Sequence, residues 1–274
     1  MYNTVIKNNK EIAMKYGFIG CGNMGGAIAR ALSKTTSDIM VSDPSPAVAA
    51  FANDNGFKTG TNETIISTCG RVFLAVKPQM LKSVLAPLQQ LLEKHRPILI
   101  SMVAGVTIKK LEELSACRLP IIRIMPNTPV AVGKGMITFC SNDLVSQDVL
   151  DSFIQDMQYA GRLDAIGENL IDAASAVAGC GPAFMYMYLE ALADGAVACG
   201  LPRGKAMEYA AMTMIGAAEM VLQTGDHPGK LKDAVCSPGG STIMGVKALE
   251  DHGLRSAALQ AVIDAYHRTA ELGK

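Results

Sequence analysis

Gly17-Phe18-Ile19-Gly20-Cys21-Gly22-Asn23-Met24-Gly25 is the stretch on which the fold turns. The apolar run 16–19 leads into it and the helical pattern 24–33 leaves it, so the spacing G-x-G-x-x-G stands between a strand and a helix. In that setting Gly20 makes a tight turn, Gly22 admits a pyrophosphate, and Gly25 lets helix and strand approach. A turn that serves only the backbone is the alternative. Further apolar runs follow at 39–42, 72–76, 98–103, 121–125 and 136–140, with helical patterns at 46–53 and 78–93 between them. Strand and helix in alternation predict an α/β, doubly wound Rossmann-type sheet over residues 14–166. The shorter turns between the later strands leave room for one or two antiparallel ones.

From about Glu168 the pattern changes to long segments rich in Ala, Met and Leu, at 170–178, 182–199, 203–223, 242–251 and 255–272. Pro182 and Pro202 stand where helices start, and Gly200 and Gly225 where they stop. Residues 167–274 are therefore expected to form an all-helical dimerisation and substrate-binding domain. Several of its helices read as apolar on more than one face, which a small domain cannot easily bury alone; that favours a homodimer, with a generously packed monomer as the alternative.

Composition narrows the function. The 274 residues carry 25 basic and 25 acidic side chains, so no nucleic-acid or acidic-membrane footprint is expected. Seven cysteines are scattered without a CxxC or a Cys/His cluster at ligand spacing, which predicts reduced thiols in a cytoplasmic chain, mostly packed as small apolar groups, and no metal. No apolar stretch reads as long enough and free enough of charge and breakers to span a bilayer. Residues 1–13 are polar, lack the apolar core of a signal peptide, and read as a disordered leader.

Candidate ligand residues gather at strand ends. Asp43, about twenty positions past the glycines, suits an adenosine ribose and tilts toward NADH, but it also suits a turn before Pro44. Ala75, Val76, Lys77 and Pro78 close the third long apolar run; Lys77 would reach ribose or phosphate, or is a solvated lysine before a helix. Met102, Val103, Ala104 and Gly105 would wall a nicotinamide. Asn127 and Thr128, between two prolines, lie either on the ligand edge or in a rigid turn. Downstream, Ser237-Pro238-Gly239-Gly240-Ser241-Thr242 opens a helical run, and unpaired N–H groups at such a start cradle an anion. His227 reads as a capping or loop-packing residue, having no catalytic partner close in sequence.

GFIGCGNMG (17–25), AVKP (75–78), MPNTP (125–129), GPAF (181–184), GLPR (200–203), HPGKLKD (227–233) and SPGGST (237–242), with Glu250 beyond, together resemble pyrroline-5-carboxylate reductase along nearly the whole chain from Met14. The resemblance implies reduction of a small anionic cyclic imine, 1-pyrroline-5-carboxylate, to L-proline with NADPH or NADH. It also implies a Rossmann domain, helices interleaved in a homodimer, and dimers assembled further into a decamer. It carries cofactor contacts onto Ile19, Gly20, Cys21, Gly22, Asn23, Met24 and Gly25, onto Asn62, onto Ala75, Val76, Lys77 and Pro78, and onto Met102, Val103 and Ala104, with Asp43 at a position that varies in the family. Substrate contacts fall on Glu168, Ser241 and Thr242, with Gly239 and Gly240 in the carboxylate cradle. Thr242 is the expected catalytic group at the ring nitrogen, or a plain helix N-cap. Glu168 is expected to stabilise the iminium, or is an exposed charge at a helix start. Cys180, Phe184 and Ala234 depart from the serine, tyrosine and asparagine common in the family, and each loses a polar group. A β-hydroxyacid dehydrogenase would need a lysine on the interdomain helix, and none occurs between Lys134 and Lys205. A non-catalytic nicotinamide sensor is the rival from another class, and the intact SPGGST loop speaks against it.

Overall fold

The computed structural model describes residues 14–272, and the expected leader at 1–13 lies outside them. Among the described residues eight strands form one sheet: β1 (Met14–Ile19), β2 (Ile39–Ser42), β3 (Lys58–Thr59), β4 (Cys69–Leu74), β5 (Ile98–Ser101), β6 (Ile121–Met125), β7 (Gly135–Ser141) and β8 (Gly161–Ala165). Their order is β3-β2-β1-β4-β5-β6-β7-β8. Pairing is parallel from β3 to β6, antiparallel between β6 and β7, and parallel again between β7 and β8. The first six strands thus have the doubly wound order, which reverses between β1 and β4. The helices of this part are α1 (Asn23–Leu32), α2 (Pro46–Asn55), α3 (Asn62–Thr68), α4 (Leu81–Leu85), α5 (Gln89–His95), α6 (Ile108–Ser115), α7 (Gln147–Asp156) and α8 (Ile171–Ala178).

Both faces of the sheet are covered because successive strand residues point to opposite sides. Phe18, Phe73, Ile100 and Ile122 enter one core with Ile28 and Leu32 of α1 and Phe153 of α7. Their neighbours Ile19, Val72, Leu74, Leu99 and Ile121 enter the other with Ile65 and Ile66 of α3, Leu85 and Leu111. Phe18 and Phe73 stack face to face with centroids 4.5 Å apart, joining β1 to β4 on the first side.

A polar knot closes the opposite edge from the glycine loop. The Tyr16 hydroxyl donates to Asp156 Oδ2 at 2.6 Å, and Arg71 donates to both that hydroxyl and the same carboxylate. Lys15 reaches Asp156 Oδ1 at 2.8 Å, and Arg71 also donates to Ser152. Burial pushes the Tyr16 phenol far above its ordinary pKa, so it stays a donor. The knot pins α7 to β1 and β4 through side chains that are nearly buried.

One compact unit takes in the chain up to Gly179 and the end of the last helix from Tyr266; a second runs from Cys180 to Ala265. The second contains α9 (Gly181–Ala198), α10 (Arg203–Thr224), α11 (Pro228–Ala234) and α12 (Ser241–Asp251), and α13 (Leu254–Leu272) begins in it. Gly200 and Gly225 adopt positive φ at the ends of α9 and α10, as the sequence predicted. Among its described residues only Ala193, Ala206 and Ala210 are buried apolar side chains, whereas Met187, Met212, Ile215 and Leu259 are each at least 60% exposed. That surface exceeds what water tolerates on an isolated domain.

Two sequence expectations are corrected here. Among the described residues the helical run Glu168–Ala198 is long and apolar enough, by length and composition only, to cross a membrane. The turn at Gly179 and Cys180 breaks it, and the longer piece, α9, has 18 residues, or about 27 Å of helix. The cysteines are less buried than expected: Cys21 and Cys69 are buried, Cys199 is exposed, and the other four are half-buried.

Substituting Asp156→Ala would leave Arg71 and Tyr16 without their shared acceptor. Urea denaturation at fixed protein concentration should show a loss of about 3 kcal/mol, and a change below about 0.5 kcal/mol would remove the knot from the list of stabilising interactions.

Candidate active site

The carboxyl ends of β1, β2, β4, β5 and β6 share one edge, and backbone bonds stitch it beyond the strands. Gly20 N donates to Ser42 O, Ala75 N to Ile19 O and Met102 N to Leu74 O. Ile19 is buried as the last residue of β1. The turn that follows needs glycine: Gly20 has φ +89°, and a Cβ there would stand 2.6 Å from Ala75 O. At Gly25, in the first turn of α1, a Cβ would stand 2.9 Å from Gly20 O, so the helix packs directly on the loop. Gly22, the N-cap of α1, has nothing within 4 Å of a Cβ and offers the first N–H groups of α1 no side-chain partner. Open space, unpartnered donors and the positive end of a helix fit the pyrophosphate of a dinucleotide. Asn23 is exposed at the start of α1, and Met24 packs against the core behind it.

Asp43 braces this loop. Its Oδ2 accepts from Cys21 N at 2.8 Å and its Oδ1 from Ser45 N at 2.9 Å. These bonds bear out the turn reading of a residue that stands just past the end of β2. Burial, then the Asp43 carboxylate, pushes the Cys21 thiol up to about 11. The loop therefore adds no thiolate charge against a phosphate at neutral pH.

Along the same edge, Ala75 and Val76 are half-buried, and Lys77 is exposed as it leads into a 3₁₀ turn at Pro78. Asn62 begins α3 after Thr61, whose hydroxyl caps Thr64 N. Val103 is buried, with Met102 and Ala104 half-buried beside it, and the loop ends at Thr107, which caps α6 by accepting from Lys110 N. Asn127 is committed to the protein: its amide donates to Ala178 O and accepts from Met136 N, both at 2.9 Å. The rigid-turn reading of Met125 to Pro129 is the one that holds for this side chain.

Glu168 is not the exposed charge that a helix start allowed. Its Oε1 accepts from Ile108 N at 2.7 Å and pairs with Arg123 Nη1 at 3.2 Å, while Arg123 Nη2 donates to Asp172 Oδ1 at 2.8 Å. Arg123 is 1% exposed, in the middle of β6. Glu168 also borders a cavity of about 430 Å³ shared with Ile108, Phe139, Cys140 and Leu150. Sequence reasoning missed Arg123 and Asp172. The signal was present, because an arginine inside the apolar strand Ile121-Ile122-Arg123-Ile124-Met125 has to find acid partners.

In the second unit, His227 Nδ1 accepts from Gly229 N at 3.0 Å and caps α11, as expected of it. Beyond α11, Gly240 N donates to Ser237 O and Gly239 has φ +68°, the pattern of a type II turn with Pro238 at its first corner. Gly240 is the N-cap of the 11-residue α12 and no side chain caps it. Ser241 and Thr242 are exposed as its first two residues, so the N-cap reading of Thr242 falls. The amino end of α12 is an open set of N–H donors.

A doubly wound sheet with a glycine loop at its order reversal, followed by apolar helices and a helix start that no side chain caps, defines a nicotinamide-dinucleotide-dependent oxidoreductase. Residues 168–272 match the family model of pyrroline-5-carboxylate reductase dimerisation, and residues 15–105 that of NADP oxidoreductase, coenzyme F420-dependent. The chain is 38% identical to pyrroline-5-carboxylate reductase of Escherichia coli over 95% of its length and 98% of that protein's, and 39% identical to that of Synechocystis over 96% and 100%. Pyrroline carboxylate reductase of Plasmodium falciparum, solved with NADP bound, superposes with a TM-score of 0.87 at 31% identity, covering 97% of this chain and 100% of the other. The chain belongs to the pyrroline-5-carboxylate reductase family.

Gly20→Ala places an L side chain in the left-handed region against a fixed carbonyl. A fluorescence titration should show NADPH bound at least about tenfold more weakly, with circular dichroism unchanged; unaltered affinity would show that the turn is not what shapes the loop.

Proposed function

We infer that the chain carries out the reaction of its family, reducing 1-pyrroline-5-carboxylate to L-proline as the last step of proline biosynthesis, with NADPH or NADH supplying the hydride when bound. The observation that carries the substrate side of this reading is the uncapped amino end of α12 behind the Ser237–Gly240 turn. Backbone N–H groups from Gly239 to Thr242 hold the substrate carboxylate there, aided by the helix dipole. The Thr242 hydroxyl hydrogen-bonds the ring nitrogen, directly or through water. A cyclic imine that enters protonated already has an electrophilic C=N carbon, so these residues work by orientation and by stabilising charge. Glu168, whose Oε1 accepts from Ile108 N and Arg123, is assigned by the family resemblance to the cationic iminium.

The coenzyme is assigned to residues 14–166. Gly20 to Gly25 hold the pyrophosphate on the α1 N-terminus, Asp43 and Asn62 lie toward the adenosine, Ala75 to Pro78 toward the nicotinamide ribose, and Met102 to Ala104 wall the nicotinamide. Residues 167–274 are assigned to substrate and to the homodimer, whose partner covers the exposed faces of α9 and α10. A cytoplasmic location belongs to the same reading, supported by cysteine spacing that does not suit a disulfide framework. Assembly of dimers into a decamer belongs to the same reading through the family.

Loss of NAD(P)H absorbance at 340 nm on adding 1-pyrroline-5-carboxylate tests the function directly. Run with each coenzyme it gives the preference, and no turnover with either would reject the assignment in favour of a nicotinamide sensor. Thr242→Ala should lower kcat/KM for the imine about tenfold or more and leave NADPH affinity nearly unchanged; an unaltered kcat/KM would remove the hydroxyl from the mechanism. Met212→Glu with Ile215→Glu should dissociate the dimer in sedimentation velocity, and a dimer that persists would move the interface off that face of α10.

A further inference from the structure

The buried Arg123, absent from every role assigned above, holds a carboxylate that in turn holds a loop of the coenzyme edge. Between β5 and α6 the chain runs through Met102, Val103, Ala104, Gly105, Val106 and Thr107. Its far end is fixed by two capping bonds on α6: Thr107 Oγ1 accepts from Lys110 N, and Glu168 Oε1 accepts from Ile108 N at 2.7 Å. Gly105 has φ +72° and the weak Val106 N to Val103 O bond, at 3.4 Å, is the backbone tie inside the loop. Glu168 comes from a distant segment, after β8, and supplies negative charge where the α6 dipole is positive. Arg123 fixes that carboxylate from behind and is itself fixed by Asp172 on α8. Its Nε is buried without a partner, so the two carboxylates are what compensates the buried cation.

We infer that Glu168, held by Arg123, is a positioning residue for the 102–107 loop, fixing the Ile108 amide and through it the apolar wall Met102-Val103-Ala104. The inference rests on the reading above for what that wall contacts. It assigns Glu168 a task on the coenzyme that is separate from any contact with the imine. A role confined to the substrate would leave coenzyme affinity untouched, and a role confined to charge would be lost with the carboxylate. Positioning requires only an acceptor at Oε1, which glutamine provides and leucine does not.

The test measures NADPH binding by fluorescence without substrate, together with hydrogen exchange at the Ile108 amide. Glu168→Leu is expected to weaken NADPH about tenfold and to speed exchange at Ile108 by at least a similar factor, while Glu168→Gln stays within about twofold of the parent in both. A folded Glu168→Leu protein that binds NADPH as the parent does would overturn the inference, as would a glutamine variant as impaired as the leucine one. Should the leucine variant not fold, Arg123→Lys decides: lysine cannot span both carboxylates, so faster Ile108 exchange and several-fold weaker NADPH are expected, and parental values for both overturn the proposal. Because binding is read without turnover, failure here is distinct from failure of the functional reading, which absent turnover of 1-pyrroline-5-carboxylate by the parent chain would show.

Discussion

Everything at the coenzyme edge depends on how closely the end of β1 approaches the end of β4. Those strands are neighbours because the strand order reverses between them, and their ladder continues through Ala75 N to Ile19 O into the loops. The Gly20 backbone has room for no side chain against Ala75 O, and Gly25 packs onto Gly20 O in turn. The start of α1 is thereby aimed at the crevice beyond the strand ends, where sheets of this kind bind ligands. Asp43 then joins β2 to the arrangement by accepting the Cys21 N–H, so three strand ends fix one loop.

The two units solve opposite problems. The sheet buries apolar residues on both faces and spends its few buried charges in closed sets, Tyr16 with Arg71 and Asp156 at one edge and Arg123 with Glu168 and Asp172 near the other. The helices α9 to α12 bury almost nothing larger than alanine and leave Met, Ile and Tyr side chains outside. Their stability has to come from a second surface, which agrees with the dimerisation family model that spans them.

How much of this could be read from the sequence follows the range of the forces involved. β2 and β6 fall where the apolar runs put them, and the five long helices of the carboxy-terminal half agree to within two residues, because periodicity and Gly/Pro punctuation are local. The short β3, the edge strand β8, and α3, α6, α7 and α11 went unassigned; their apolar content is low, and they exist because the sheet or a neighbouring helix accepts them. The pattern at 78–93 reads as one helix but contains 3₁₀ turns at Pro78 and around Pro87, each placed by a proline. In the site, the glycine loop and the α12 start were visible because each is a contiguous motif. Arg123 with Asp172, the bracing of Cys21 by Asp43, and the bond from Asn127 to Ala178 join residues 22 to 51 positions apart, and no local pattern encodes them.

The turn ahead of α12 has a consequence for the energetics of recognition. Pro238 restricts one corner and Gly239 meets the other without strain, and the Gly240 N to Ser237 O bond closes the loop from within. A segment held by its own turn has little conformational freedom left to lose, which lowers the entropic cost of any association at it. Such preorganisation lets a very small molecule, which can bury little surface, be held firmly by a few directional bonds.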